Sequence, residues 1–195
     1  FTGLRVKNMT ELRRRLRALT GDLPKALLPF GERSLIEIQI DLCRRHNVTE
    51  IYLLLGHGAE QIRDRLGDGA ALGVRCHYRI EPRPLGTAGA LRPLLEEFPE
   101  EDILTLYGDI FVEMDLTRLL EFHRRGGACA TLVVHPNDHP DDSDLVETDG
   151  ERVIAFHSRG RAPGWYPNCA NAALFVLNGR LRRFIPSEPA DLGSS

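Results

Sequence analysis

The stretch Leu19-Thr-Gly-Asp-Leu-Pro-Lys-Ala-Leu-Leu-Pro-Phe-Gly31 sets a single lysine, Lys25, between two prolines in an apolar run. Pro24 and Pro29 each fix a backbone angle and remove a donor, which predicts an extended, rigid loop rather than a helix. An ammonium held against apolar surroundings binds an anion more strongly than a free surface lysine, because water screens it less. Taken alone, Lys25 also reads as a solvated side chain in a proline-rich connection. A second candidate is Tyr107-Gly108-Asp109, where glycine and aspartate stop the apolar run that begins at Ile103. A carboxylate beside a glycine at a strand's end reaches a cation and phosphates without crowding. One Asp supplies only part of a magnesium site, since magnesium takes one or two carboxylates, keeps waters and bridges to phosphates. A turn cap is the alternative reading, but Asp115 caps the next helix more naturally.

Glycines mark two further places. Gly56-His57-Gly58 follows the apolar run Ile51–Leu55, where a ligand has room beyond a strand's carboxyl end. Pro84-Leu85-Gly86-Thr87 is a stiff turn into a helix capped by Thr87, and its backbone donors suit a nucleotide; an ordinary strand-to-helix turn is the alternative. The run from His135 to Glu147 is crowded with His and Asp. Pro136 and Pro140 argue against the helix that would align two histidines, so it suits a loop that hydrogen-bonds hydroxyl groups better than a zinc site. Asn171 precedes an apolar strand, where it can be a buried turn residue.

The elements that must hold these residues alternate. Residues 9 to 18 suit a short basic helix with Thr10 as cap. Ser34-x-x-Glu37 is a capping box, and Leu35, Ile36, Ile38, Ile40, Leu42 and Cys43 form an apolar stripe to about His46. Strands are predicted at 51–55, 74–80, 103–107, 128–134, 151–156 and 172–177, and helices from Ala59, Thr87 and Leu116. Strands and helices in alternation, with long crossovers, predict an α/β domain of three layers around a mostly parallel, Rossmann-like sheet.

Composition sets the outer limits. With 42% hydrophobic and 27% charged residues the chain can bury one core, and residues 1–195 read as a single domain. The net charge of -3 gives no global drive toward nucleic acid or an anionic membrane. No apolar run nears the roughly 20 residues of a membrane helix, and a cytoplasmic protein is expected. Cysteines 43, 76, 129 and 169 form no metal-ligand spacing and are expected to be reduced and buried.

Leu19-Thr20 with Leu23-Pro-Lys-Ala-Leu-Leu-Pro29, then Pro84-Leu-Gly-Thr-Ala-Gly-Ala90, then Tyr107-Gly-Asp109, resemble the sugar-1-phosphate nucleotidyltransferases in type, order and separation. The resemblance runs from residue 15 to about 192. It implies a sheet of the nucleotide-diphospho-sugar transferase type, and transfer of a nucleotidyl group from a nucleoside triphosphate to a sugar 1-phosphate. It implies Arg15 on the triphosphate, Lys25 on phosphate at the reacting centre and Asp109 on Mg2+. Gly56, Pro84, Gly86, Thr87 and Gly108 then border the nucleotide, and Glu147 and Asn171 the sugar. The loop from His135 is similar to a segment of enzymes fused to a phosphatase of the haloacid dehalogenase type, which implies a heptose or hexose such as mannose, with GTP. A fused or partner phosphatase and a homo-oligomer are compatible with it.

The sequence also departs from that pattern. Thr10, Glu11 and Arg13 stand where the family has glycines that let backbone N–H groups approach a triphosphate, so residues 1–14 are atypical. His157-Ser158 replaces a Glu-Lys pair, and Asp144 a glycine. The second metal-binding aspartate that the family carries further on is not found, so the domain reads as truncated at its C-terminus. An alternative is therefore a nucleotide-sugar-binding or regulatory domain with impaired turnover.

Overall fold

The structure is a computed structural model that describes residues 5–8 (backbone only), 21–81, 83–137, 140, 143–158, 160–162 and 164–186. The helix predicted over 9–18 and Arg15 lie outside the described residues. The chain divides into two compact units: Phe1–Leu85 with Tyr107–Phe122, and Gly86–Leu106 with His123–Ser195.

In the first unit, β1 (Arg5–Asn8) pairs antiparallel with β7 (Ile110–Glu113), Arg5 opposite Glu113. Residues Pro29–Phe30 (β2) and Arg33–Ser34 (β3) form a small hairpin turned at Gly31, whose φ of 63° suits glycine. Helix α1 (Leu35–Arg45) follows, then β4 (Glu50–Leu55), α2 (Ala59–Leu66) and β5 (Arg75–Ile80). β4 and β5 are parallel, from Glu50 opposite Arg75 to Leu55 opposite Ile80. The apolar stripe of α1 makes the core: Ile36 and Ile40 pack with Leu53 of β4, Ile62 and Leu66 of α2, and Val74. The capping box forms as read, with Ser34 N and Oγ both donating to Glu37 Oε2 at 2.6 Å. Arg65 of α2 adds two bonds to Glu37 at 3.1 and 3.0 Å. Burial works to raise the Glu37 pKa, but the bonds from Ser34 and Arg65 outweigh it and hold the carboxyl below its ordinary value.

The second unit contains α3 (Gly86–Glu97) and a five-stranded sheet of β6 (Asp102–Leu106), β8 (Ala130–His135), β9 (Leu145–Asp149), β10 (Arg152–His157) and β11 (Ala170–Asn178). β11 runs antiparallel to β6 and β8, and β10 antiparallel to β9. Leu174 to Asn178 of β11 are all buried, which explains the unbroken apolar run there. Helix α4 spans Leu116–Gly126.

The α/β class holds, and parallel and antiparallel pairings both occur where a mostly parallel sheet is expected. Among the described residues β4 and β5 make the parallel pair, and the other pairings are antiparallel. Of the cysteines, Cys43 is buried, which pushes its thiol up to about 11, while Cys76, Cys129 and Cys169 are half-buried. No helix among the described residues is long and apolar enough to cross a membrane.

Candidate active site

Lys25 begins a single 3₁₀ turn, Lys25–Leu27, flanked by extended Pro24 (φ -54°, ψ 142°) and Leu28 (φ -56°, ψ 132°). The expected extended loop is thus interrupted by one turn, closed by Leu27 N to Pro24 O at 2.9 Å and Leu28 N to Lys25 O at 3.1 Å. Proline costs nothing at the residue before such a turn, because its absent N–H would find no partner there. The rigidity comes from packing as well. Ala26 and Leu27 pack on the core of α1 and β4. Leu28 is fully buried with Leu35, each stabilising the fold by about 2 kcal/mol. Phe30 of the hairpin stacks on Phe111 of β7 at 5.5 Å.

Two glycine loops come up against this turn. A Cβ on Gly58, whose φ is +79°, would overlap the Pro24 ring, and one on Gly108 would lie 3.6 Å from the Ala26 Cβ. Gly108 is exposed and is followed by Asp109, whose Oδ2 accepts from Lys25 Nζ at 2.9 Å. The side chains are 33% and 24% exposed, so the pair is open enough to exchange partners and shielded enough for its charges to matter. Lys25 and Asp109, 84 residues apart in sequence, are thereby brought together. Gly56 is exposed just past β4, and no atom lies within 4 Å of where its Cβ would be.

Tyr107 to Ile110 form a turn with Ile110 N donating to Tyr107 O at 3.4 Å, and Asp109 occupies its third position. Gln39 of α1 braces it. The buried Gln39 Nε2 donates to Tyr107 O at 2.9 Å and to Ile110 O at 2.7 Å. Sequence reading passed over Gln39, and the signal available was a polar residue one step along from Ile38 on the apolar stripe. Ile38 proves half-buried and Gln39 buried.

Pro84 is exposed, and Leu85 N donates to Glu81 Oε2 at 3.2 Å. Helix α3 starts at Gly86 rather than after Thr87, so Thr87 lies inside the first turn and is not its cap; Gly86 takes the positive φ of 73° that the turn needs.

In the second unit, Glu147 Oε2 and His157 Nε2 are 3.0 Å apart. The His157 ring lies 4.7 Å from that of Tyr166, and the Arg161 guanidinium 5.0 Å over the same ring. Arg161 also donates to Ser143 O at 2.9 Å and Pro140 O at 2.7 Å, tying down the loop from His135. His157, read only as a departure from the family pattern, is thus the partner of Glu147. Asn171 is half-buried, and its Oδ1 accepts from Ala173 N at 3.0 Å. That bond closes an irregularity in β11 where the register slips and Ala173 takes a φ of 54°. The turn role weighed for Asn171 is present, and its Nδ2 has no partner among the described residues. No group of three or more His, Cys, Asp or Glu that can hold a metal is found among the described residues.

Residues 14–191 match the profile of the nucleotidyl transferase family. The chain belongs to that family. Its relatives include the UTP–glucose-1-phosphate uridylyltransferase of a Synechocystis strain, 27% identical over 194 residues, covering 92% of this chain and 50% of that one. They also include the D-glycero-alpha-D-manno-heptose 1-phosphate guanylyltransferase of Aneurinibacillus thermoaerophilus, 29% identical over 178 residues, covering 89% and 76%. This transferase-family chain spans about half the length of the first curated relatives it matches. Its fold is that of HddC from Yersinia pseudotuberculosis, with a TM-score of 0.75 over 92% of this chain and 78% of that one at 19% identity.

Proposed function

We propose that this chain transfers a nucleotidyl group to a sugar 1-phosphate. A phosphate oxygen of the sugar 1-phosphate forms a bond to the α-phosphorus of a nucleoside triphosphate as the bond to the leaving pyrophosphate breaks. The products are a nucleotide sugar and pyrophosphate. The observation that carries this reading is the Lys25–Asp109 pair at 2.9 Å, set on a turn and on a glycine-flanked strand end. Such a reaction needs little covalent help from the protein. Positioning and neutralisation of phosphate charge supply most of the rate.

Lys25 would then exchange Asp109 for phosphate oxygens at the reacting centre, and Asp109 is the residue that would hold a cation. A lone, partly exposed carboxylate fits magnesium, which is usually held by one or two carboxylates together with substrate phosphates and waters. When bound, magnesium neutralises phosphate charge and orients the oxygens. Arg15 takes the triphosphate, and Gly56, Pro84, Gly86, Thr87 and Gly108 give the nucleotide room and backbone donors. Glu147 and the Asn171 Nδ2 serve the sugar hydroxyls. We favour GTP and a mannose or heptose 1-phosphate, supported by relatives named for those substrates and by the Yersinia protein solved with GMP-PN. The triphosphate requirement also favours the cytoplasm as its location.

Pyrophosphate release, measured over four nucleoside triphosphates and a panel of sugar 1-phosphates with magnesium, tests the reading. Release is expected with at least one pair, and Lys25→Met is expected to lower it about a hundredfold. No release with any pair, or release indifferent to Lys25→Met, would overturn it.

A further inference from the structure

The Tyr107–Ile110 turn leaves two backbone carbonyls, one on each side of Gly108-Asp109, pointing at the same buried nitrogen. Gln39 Nε2 carries two hydrogens and donates one to each, at 2.9 and 2.7 Å. A side-chain amide suits this place because one nitrogen must give two hydrogen bonds without bringing a charge. The donor comes from α1, whose Ile36 and Ile40 sit in the core beside Ala26 and Leu27 of the lysine turn. One helix therefore sets both partners, Lys25 through apolar packing and Asp109 through Gln39. Gly108 makes the bracing necessary, since it is exposed and lacks a side chain that would hold the turn by itself.

We propose that Gln39 is a positioning residue for Asp109, fixing the turn so that the carboxylate meets Lys25 and the reacting phosphates in one place. This inference rests on the role given to Asp109 above. Loss of the two hydrogen bonds frees the turn, so the reaction slows at saturating substrate while substrate affinity is held by other residues.

The test compares Gln39→Met, of similar length with no donor, and Gln39→Glu, of the same shape with acceptors facing both carbonyls, with Asp109→Asn. Amide hydrogen exchange of Gly108, Asp109 and Ile110 is followed in the protein alone, and kcat and KM are measured per folded molecule. We expect exchange at these three amides to quicken at least tenfold in Gln39→Met. We expect kcat to fall about tenfold to a hundredfold, with KM for the sugar 1-phosphate within twofold, and Gln39→Glu to be the slower of the two. A purely structural Gln39 would lower the melting temperature yet leave kcat and the exchange of these amides unchanged, and that result overturns the proposal. If instead Asp109→Asn turns over like the unaltered chain, the role of Asp109 fails and this inference fails with it. Asp109→Asn inactive with Gln39→Met fully active removes Gln39 alone.

Discussion

Asp102 and Asp109 share one short stretch of chain and are held in opposite ways. Asp102, the first residue of β6, is 18% exposed and each of its oxygens has a partner. Asn178 Nδ2 donates to it at 2.8 Å, His123 Nε2 lies at 3.3 Å and Arg124 Nε at 3.4 Å, while His123 Nδ1 meets Thr131 Oγ1 at 2.8 Å. Asp109, past the end of the same strand, sits beside an exposed glycine and faces the Lys25 ammonium. A carboxylate held on both oxygens by neighbouring side chains is a structural brace, whereas one whose cation can leave is free to exchange ligands. The Asp102–His123–Thr131 chain looks like a proton relay on paper, but His123 is 3% exposed, so no substrate reaches it.

The largest expected effect separates the two aspartates. Asp109→Asn should lower pyrophosphate release by about a hundredfold to a thousandfold, with little change in melting temperature. Asp102→Asn should leave the rate per folded molecule intact and cost about 1–3 kcal/mol of stability. Burial works to raise the Asp102 pKa, but the hydrogen bond from Asn178, with His123 and Arg124, outweighs it and holds the carboxyl below its ordinary value. A group depressed in the folded state adds stability above its unfolded pKa of about 3.9, and that stability is lost as pH falls through the lower folded value. Denaturant melts across the acid range should show that loss in the unaltered chain and not in Asp102→Asn. Equal acid slopes in both, or a slow Asp102→Asn, would erase the distinction.

Two glycines extend the comparison from side chains to backbone. In the second unit a Cβ on Gly179 would overlap Phe98 O and lie 2.6 Å from the Pro99 carbonyl carbon, both main-chain atoms with no freedom to turn aside. Gly179→Ala should cost about 3 kcal/mol or more. In the first unit Gly58→Ala meets the Pro24 ring and a φ of +79°, and should cost about 1–3 kcal/mol. Because the ring it displaces precedes Lys25, Gly58→Ala should lose rate as well, and Gly179→Ala should not. Melting temperature and turnover on both variants decide the matter, and a Gly58→Ala variant with full kcat would show that the lysine turn is indifferent to its neighbour.

What the sequence discloses follows from what is local. The capping box at Ser34, the stripe of α1 and the runs of β4, β5 and β11 are fixed by neighbours a few residues away, and they appear where the pattern puts them. Lys25 and Asp109 were legible as residue types beside proline and glycine. Their meeting across 84 residues is tertiary. The hairpin at Pro29 to Ser34, β7 and β9 are too short or too polar to show a period. The antiparallel pairings of β11 depend on which strands it meets, and its own run, apolar on both faces, is equally suited to a parallel sheet. Gln39 was hidden for a related reason, since a single polar residue on an apolar stripe reveals nothing of the carbonyls it serves.

The smallest effect concerns the strained turn beside Asn171. Ala173 holds a φ of 54°, where its Cβ costs about 1–2 kcal/mol, and the bond from its N to Asn171 Oδ1 keeps it there. Glycine removes that cost but gives back part of it, because the unfolded chain gains backbone freedom worth about 0.5–1 kcal/mol. Ala173→Gly should therefore stabilise by up to about 1.5 kcal/mol, the difference of the two. Asn171→Ala removes the bond that imposes the turn, so the glycine gain should shrink in that background if the two residues act as one unit. Denaturant unfolding of the two single variants and the double variant measures that coupling. A full gain from Ala173→Gly with Asn171 absent would mean that the sheet register, and not the asparagine, sets the backbone here, which would leave the Asn171 amide free to be read as a ligand to sugar alone.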